Sequence, residues 1–221
     1  MNALKVFTIQ KGLLEDNAKV AQATREALKQ QGVYLMNMMS SPGSGKTTLL
    51  VETIKALKDR MTIGVLEADI DSDVDAYTVQ QAGAKAIQLH TGGLCHLDAT
   101  MTKQGIDELG VEGLDLVFLE NIGNLICPAG YDTGAMKNIA LLSVPEGDDK
   151  PLKYPKIFGK VDVLVVTKMD VSPYFDFDLN RLEERVKVLN PNICIFPVSA
   201  KTGEGINEWI RWIKQQLNEE A

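Results

Sequence analysis

The chain has 221 residues, with 23 Lys and Arg against 30 Asp and Glu and a formal charge of −7. That acidic balance argues against duplex DNA or an anionic membrane as default partners, and no apolar run approaches the roughly 20 residues needed to span a bilayer. Three cysteines spread along the chain point to free thiols and not to a disulfide framework, and the opening residues lack the apolar core of a secretion signal, so a cytoplasmic protein is expected.

Residues 1–32 read as a short helical N-terminal extension: Ala18, Ala21, Ala23, Ala27 and Leu28 lie among Lys19, Arg25, Glu26 and Lys29, and Gly32 is a helix stop. From 33 to 221 the pattern predicts one domain. Val-, Ile- and Leu-rich stretches predict strands at 33–39, 62–68, 86–89, 114–119, 139–144, 161–167 and 192–198. Helices are predicted at 47–58, 72–81, 98–108, 179–189 and 206–217. Nearly continuous apolar strands alternating with helices imply an α/β fold, with a mostly parallel central sheet covered by helices on both faces. The polar stretch 145–151 is expected to be a mobile loop.

Ser40-Ser-Pro-Gly-Ser-Gly-Lys-Thr47 follows the first strong strand and opens a helix, the context of the phosphate loop of P-loop NTPases. Gly43 and Gly45 let the backbone N–H groups of this stretch, Ser44 included, curl around an anion. Lys46 supplies charge at the β/γ-phosphates, the Thr47 hydroxyl can ligate Mg2+, and Thr48 continues the binding surface. Ser40 stands where the motif has its first Gly.

Two later segments select guanine. Thr167-Lys168-Met169-Asp170 ends a buried strand and matches N-K-x-D with Thr in place of Asn. Asp170 can accept from the N1–H and 2-amino group, donors adenine lacks, while the stem of Lys168 covers the ring. The Thr replacement is expected to remove an amide that ties loops together, at a modest cost in affinity. Ser199-Ala200-Lys201 after the last strand offers a backbone N–H to the guanine O6.

Glu120 through Gly123 match D-x-x-G with Glu as the acid: Glu120 would hold Mg2+, and the Gly123 N–H could report the γ-phosphate. Asp69, Asp71, Asp73 and Asp75 form an acidic loop after another strand. Of these, Asp69 and Asp75 are candidates for Mg2+ or the attacking water, and with Lys46 and Glu120 they make up the catalytic set. No arginine is placed as a finger, so intrinsic hydrolysis should be slow.

Cys95-His96 and Cys127 each follow a predicted strand. In a parallel sheet both loops emerge at the carboxyl edge beside the nucleotide. There the three could meet as soft ligands for Zn2+ or Ni2+, a two-fold copy of the chain completing the shell. Cys194, inside an apolar strand, is expected in the core.

Ser41 through Thr47, Thr91-Gly-Gly-Leu-Cys-His96, Glu120-Asn-Ile-Gly-Asn-Leu-Ile-Cys-Pro128 and Lys153-Tyr-Pro-Lys-Ile-Phe158 together resemble the HypB family, SIMIBI-class GTPases that help insert nickel into [NiFe]-hydrogenase. The resemblance covers nearly the whole chain. It implies a GTP-hydrolysing nickel metallochaperone that dimerises with GTP, with Cys95, His96 and Cys127 holding Ni2+ or Zn2+ near the dimer interface. It also implies Asp69 or Asp75, with Thr47 and Glu120, around Mg2+. The HypA metallochaperone and a hydrogenase large-subunit precursor are the implied partners. With only two histidines there is no His-rich tract, so delivery and not storage is expected. Competing readings are a related GTPase serving urease or reactivating a mutase, a small-molecule phosphotransferase, and a regulatory protein that holds nucleotide without turnover.

Overall fold

The computed structural model describes residues 5–8, 17–69 and 74–219. Eight strands form one parallel sheet: β1 (Lys5–Thr8), β2 (Tyr34–Ser40), β3 (Ile63–Asp69), β4 (Lys85–His90), β5 (Leu116–Glu120), β6 (Lys137–Ser143), β7 (Val163–Thr167) and β8 (Cys194–Pro197). Their spatial order is β1-β4-β3-β5-β2-β6-β7-β8. The helices are α1 (Asn17–Gln30), α2 (Lys46–Leu57), α3 (Val74–Ala82), α4 (Ala99–Leu109), α5 (Lys150–Lys153), α6 (Pro155–Phe158), α7 (Leu179–Leu189) and α8 (Ile206–Glu219).

Strands β2, β5 and β7 are buried along their whole length, which is why they read as continuous apolar runs and not as alternating ones. One face is covered by α2, α3 and α8 through Met36, Met38, Ile54, Phe118, Val79 and Trp209. On the other face α1 and α4 pack on Leu35, Leu66 and Leu119, while α6 and α7 pack on Ala140, Leu164 and Val166. Capping sets two of the helix starts: Asp98 accepts from the Met101 amide, and Asp178 from those of Asn180 and Arg181.

From β2 the chain steps to β3 and β4 on one side, and from β6 to β7 and β8 on the other. Loops at the carboxyl ends of the central strands therefore diverge and leave a crevice, the usual ligand position in such sheets.

Three expectations need correction. The reading of 1–32 as helical contains no strand, yet Lys5–Thr8 adds a parallel edge strand to β4; four residues are too few for a period to register. Stretch 145–151 is not a free loop. Val144–Glu146 forms a 3-10 turn under a Ser143/Glu146 capping box, Asp148 is buried and bonds Arg185 and the Asp178 amide, and α5 begins at Lys150. Its polar side chains are spent on these partners. Finally, Cys194 is exposed and not in the core, because β8 is the other edge strand, paired only with β7.

Candidate functional site

The phosphate loop joins β2 to α2. Gly43 and Gly45 take left-handed φ values of 72° and 88°, and Gly45 stands immediately before the first turn of α2. Free N–H groups and the positive end of the helix dipole thus face the loop, a ready anion site. Lys46 is buried, donates to the Ser40 hydroxyl at 3.0 Å and lies 3.9 Å from Glu120 Oε1. Ser40, the departure from the motif, therefore positions the lysine. Ser44 Oγ sits 2.6 Å from Glu146 Oε2, so the reordered 145–151 stretch braces the loop. Burial opposes ionisation of Glu146, but hydrogen bonds from Ser44 and Ser143 outweigh it and hold the carboxyl below its ordinary value.

Thr47 Oγ1 donates to Glu120 Oε1 at 2.9 Å. Beside this pair stands Glu67, in register with Glu120 on the neighbouring strand. Glu67, Asp75 and Glu120 place a carboxylate oxygen each within 4.8 Å of the others, the one such ligand group among the described residues. Burial first, then the charge of Glu120, pushes the Glu67 carboxyl well up; burial also raises Glu120, with Lys46 and Thr47 opposing. Glu67 Oε2 and Glu120 Oε2 are buried without a hydrogen-bond partner. A hard divalent cation is the species that satisfies such oxygens, so this set together with Thr47 fits Mg2+. The side chain of Asp69, with Asp71 and Asp73, lies outside the described residues. Glu67 escaped the sequence reading, although an acid in the middle of the apolar stretch Ile-Gly-Val-Leu-Glu-Ala was its signal.

A cavity of about 480 Å³ runs from Pro42 and Gly43 past Lys46, Thr47 and the three carboxylates to Gly123. Gly123 packs so closely on Pro42 that a Cβ would meet the proline ring at 2.8 Å. Sharing Gly45, Thr48 and Lys168 with it, a second cavity of about 300 Å³ is lined by Asp170, Ala200 and Lys201. Ser199 Oγ donates to Asp170 Oδ1 at 2.8 Å, and Lys168, at φ 59°, donates to the Gly43 carbonyl at 2.7 Å. Thr167 does not leave the loops untied: its hydroxyl donates to the Ser44 carbonyl at 2.6 Å.

At the same sheet edge the loops after β4 and β5 meet. Asn124, which the sequence reading passed over, joins them: its amide donates to the Cys95 carbonyl and its carbonyl accepts from the Ile126 and Cys127 amides. The half-buried Cys95 and Cys127 are neighbours. The nearby Cys127 thiol, then burial, raises the Cys95 thiol above its ordinary value. His96 Nδ1 lies 3.9 Å from Cys95 Sγ, and the buried ring stacks on Tyr131 at 3.9 Å. The Cys–His–Cys set is looser than the carboxylate trio.

The model of the CobW/HypB/UreG nucleotide-binding domain matches residues 35–197. The chain is 42% identical over 214 residues to the hydrogenase maturation factor HypB of Rhizobium leguminosarum bv. viciae, covering 97% of this chain and 72% of that protein. It belongs to the HypB family of hydrogenase maturation factors. The hydrogenase/urease maturation factor HypB of Helicobacter hepaticus is 45% identical over 216 residues, 96% of this chain and 88% of that one. Among solved structures, HypB from Helicobacter pylori in complex with nickel superposes with a TM-score of 0.87 at 38% identity, covering 92% of this chain and 96% of that chain. A signal recognition particle receptor FtsY from Elizabethkingia anophelis, 13% identical with a TM-score of 0.54, shares the fold alone. This HypB-family chain is thus a P-loop nucleotide hydrolase of hydrogenase maturation. No helix of the described residues is long and apolar enough to cross a membrane.

Proposed function

We propose that the chain is a GTP-hydrolysing nickel metallochaperone whose nucleotide state sets how firmly Cys95, His96 and Cys127 hold the metal. The observation that carries this reading is the short segment shared by two sites: Glu120, against Thr47 and Lys46, lies seven residues before Cys127, beside Cys95. A change at the terminal phosphate displaces a metal ligand through that one segment.

In this reading Gly43, Ser44, Gly45, Lys46, Thr47 and Thr48 bind the phosphates and Gly123 reports the last of them. Thr167, Lys168, Asp170, Ser199, Ala200 and Lys201 receive guanine. Support for the base comes from the two cavities joined at Lys168 and from the carboxylate of Asp170, which suits the two guanine donors. Glu67, Asp75 and Glu120, with Thr47, hold Mg2+, which offsets phosphate charge when bound. Asp69 stays a candidate for the same duty.

Nickel is cargo, and soft Cys/His donors accept Ni2+ or Zn2+. A two-fold copy of the chain completes the ligand shell, GTP favouring that homodimer. The HypA metallochaperone and the hydrogenase large-subunit precursor are donor and acceptor, in the cytoplasm, where thiols stay reduced.

Mass in solution with GDP, and then with a non-hydrolysable GTP analogue, each with and without Ni2+, tests assembly and metal linkage together. The expected outcome is a mass doubling with the analogue; ATP competing as well as GTP would overturn the choice of base.

A further inference from the structure

A third cavity, of about 350 Å³, lies apart from both nucleotide cavities and is lined by Arg25, Pro128, Tyr131, Asn138, Ile157 and Lys160, among others. It opens directly after Cys127, and Tyr131 on its wall is the ring that stacks on His96. Arg25 is already neutralised, held by both oxygens of Asp132 and by the Ala135 carbonyl.

Two of the lysines beside it are not neutralised. In an acidic chain, residues 150–160 carry Lys150, Lys153, Lys156 and Lys160 and no acid. Lys150 is paired with Glu146 and Lys153 with Asp149. Among the described residues Lys156 and Lys160 have no ion-pair partner, and the Lys156 ammonium lies over Gly130 on the groove rim, 3.5 Å from where a Cβ would stand.

The floor is tied to the nucleotide side of the sheet. Asn138 on β6 accepts from Asn37 on β2 at 3.0 Å, and Asn37 in turn accepts from Asn121 at 3.2 Å, the residue after Glu120. Asn37 is wholly buried. Three amides crossing an apolar sheet carry a desolvation cost that only mutual bonding offsets; they join the groove floor to the strand end that carries Glu120.

We propose that this groove docks an acidic, extended segment of a partner protein, its carboxylates on Lys156 and Lys160. The match is one of charge: two lysines without ion-pair partners at the rim of the groove, on a molecule whose charge of −7 repels a long polyanion such as nucleic acid more than a short acidic segment. A segment seated there lies next to the Cys127 loop and so brings its protein to the metal.

Fluorescence anisotropy of a short labelled peptide of alternating glutamate and leucine, titrated with the full chain, tests this without nucleotide or metal. Saturable binding is expected, weakened about tenfold by the Lys156→Ala/Lys160→Ala pair. Gly130→Glu should weaken it as much, because its Cβ meets nothing nearer than the flexible Lys156. Lys103→Ala on α4, an exposed lysine remote in sequence from the groove, should leave binding unchanged. Slowed hydrogen exchange at 128–131 on peptide binding is the supporting signature. Absence of binding, an equal loss in Lys103→Ala, or full displacement by inorganic phosphate or single-stranded RNA would overturn the proposal.

Discussion

Glu67 and Glu120 stand directly opposite each other on adjacent parallel strands, both buried, with Lys46 the cation nearest to Glu120. Two like charges this close and this dry cannot both ionise without a cation.

Because both folded-state carboxyls are raised above the ordinary 4.5, the folded chain binds more protons than the unfolded one above that pH. Stability of the nucleotide-free, chelated protein therefore falls as pH rises from about 4.5 through the raised values. Glu67→Gln should flatten this decline and raise the neutral-pH melting temperature by a few degrees. It should also weaken the Mg2+ dependence of nucleotide binding. Melting curves across pH, with and without Mg2+, check both; a variant that melts lower than wild type in chelator would contradict the charge-pair account.

Thr167→Val keeps shape but leaves the buried Ser44 carbonyl without its 2.6 Å donor. A lost hydrogen bond of this kind costs about 1–2 kcal/mol, so GDP affinity should drop roughly tenfold while Thr167→Ser stays near wild type. Titration of a fluorescent GDP derivative measures it.

Asp148→Ala removes the bonds to Arg185 and to the Asp178 amide. With Asp148 buried and Arg185 only partly exposed, the loss should be about 2 kcal/mol. Hydrogen exchange across 144–151 should be slow in the wild type and fast in the variant. Fast exchange in both would mean that this segment is loose after all.

Among the three thiols, the exposed Cys194 should alkylate first. Cys95, whose thiol is raised by Cys127 and by burial, carries little thiolate at neutral pH and should lag. Added Ni2+ should protect Cys95 and Cys127 and leave Cys194 reactive, as read by mass spectrometry of labelled peptides. Cys127→Ala should abolish any difference in Ni2+ affinity between GDP and a GTP analogue.

Most of the fold and the phosphate loop were legible because their signals are local: continuous apolar strands, the helical patterns between them and the Gly-Ser-Gly-Lys-Thr turn. What stayed hidden was relational. Glu67 reads as an accident in an apolar strand until β5 lies beside it with Glu120 in register. Asn124 is an ordinary loop residue until its side chain spans two loops. Glu146 belongs to a stretch with the composition of a free loop, and its role exists only because β6 ends against the phosphate loop.

From the residues alone came the architecture, the phosphate-binding turn, the Asp170 and Ser199 segments and the two loops carrying Cys95, His96 and Cys127, because each is written in a short contiguous pattern. Only the tertiary structure decided which carboxylates converge, that Thr167 replaces a lost amide with a hydroxyl, that Cys194 faces outward, and that a lysine-rimmed groove lies beside the thiols. Those outcomes depend on strand order and register, which bring together residues tens of positions apart, and no local pattern encodes them.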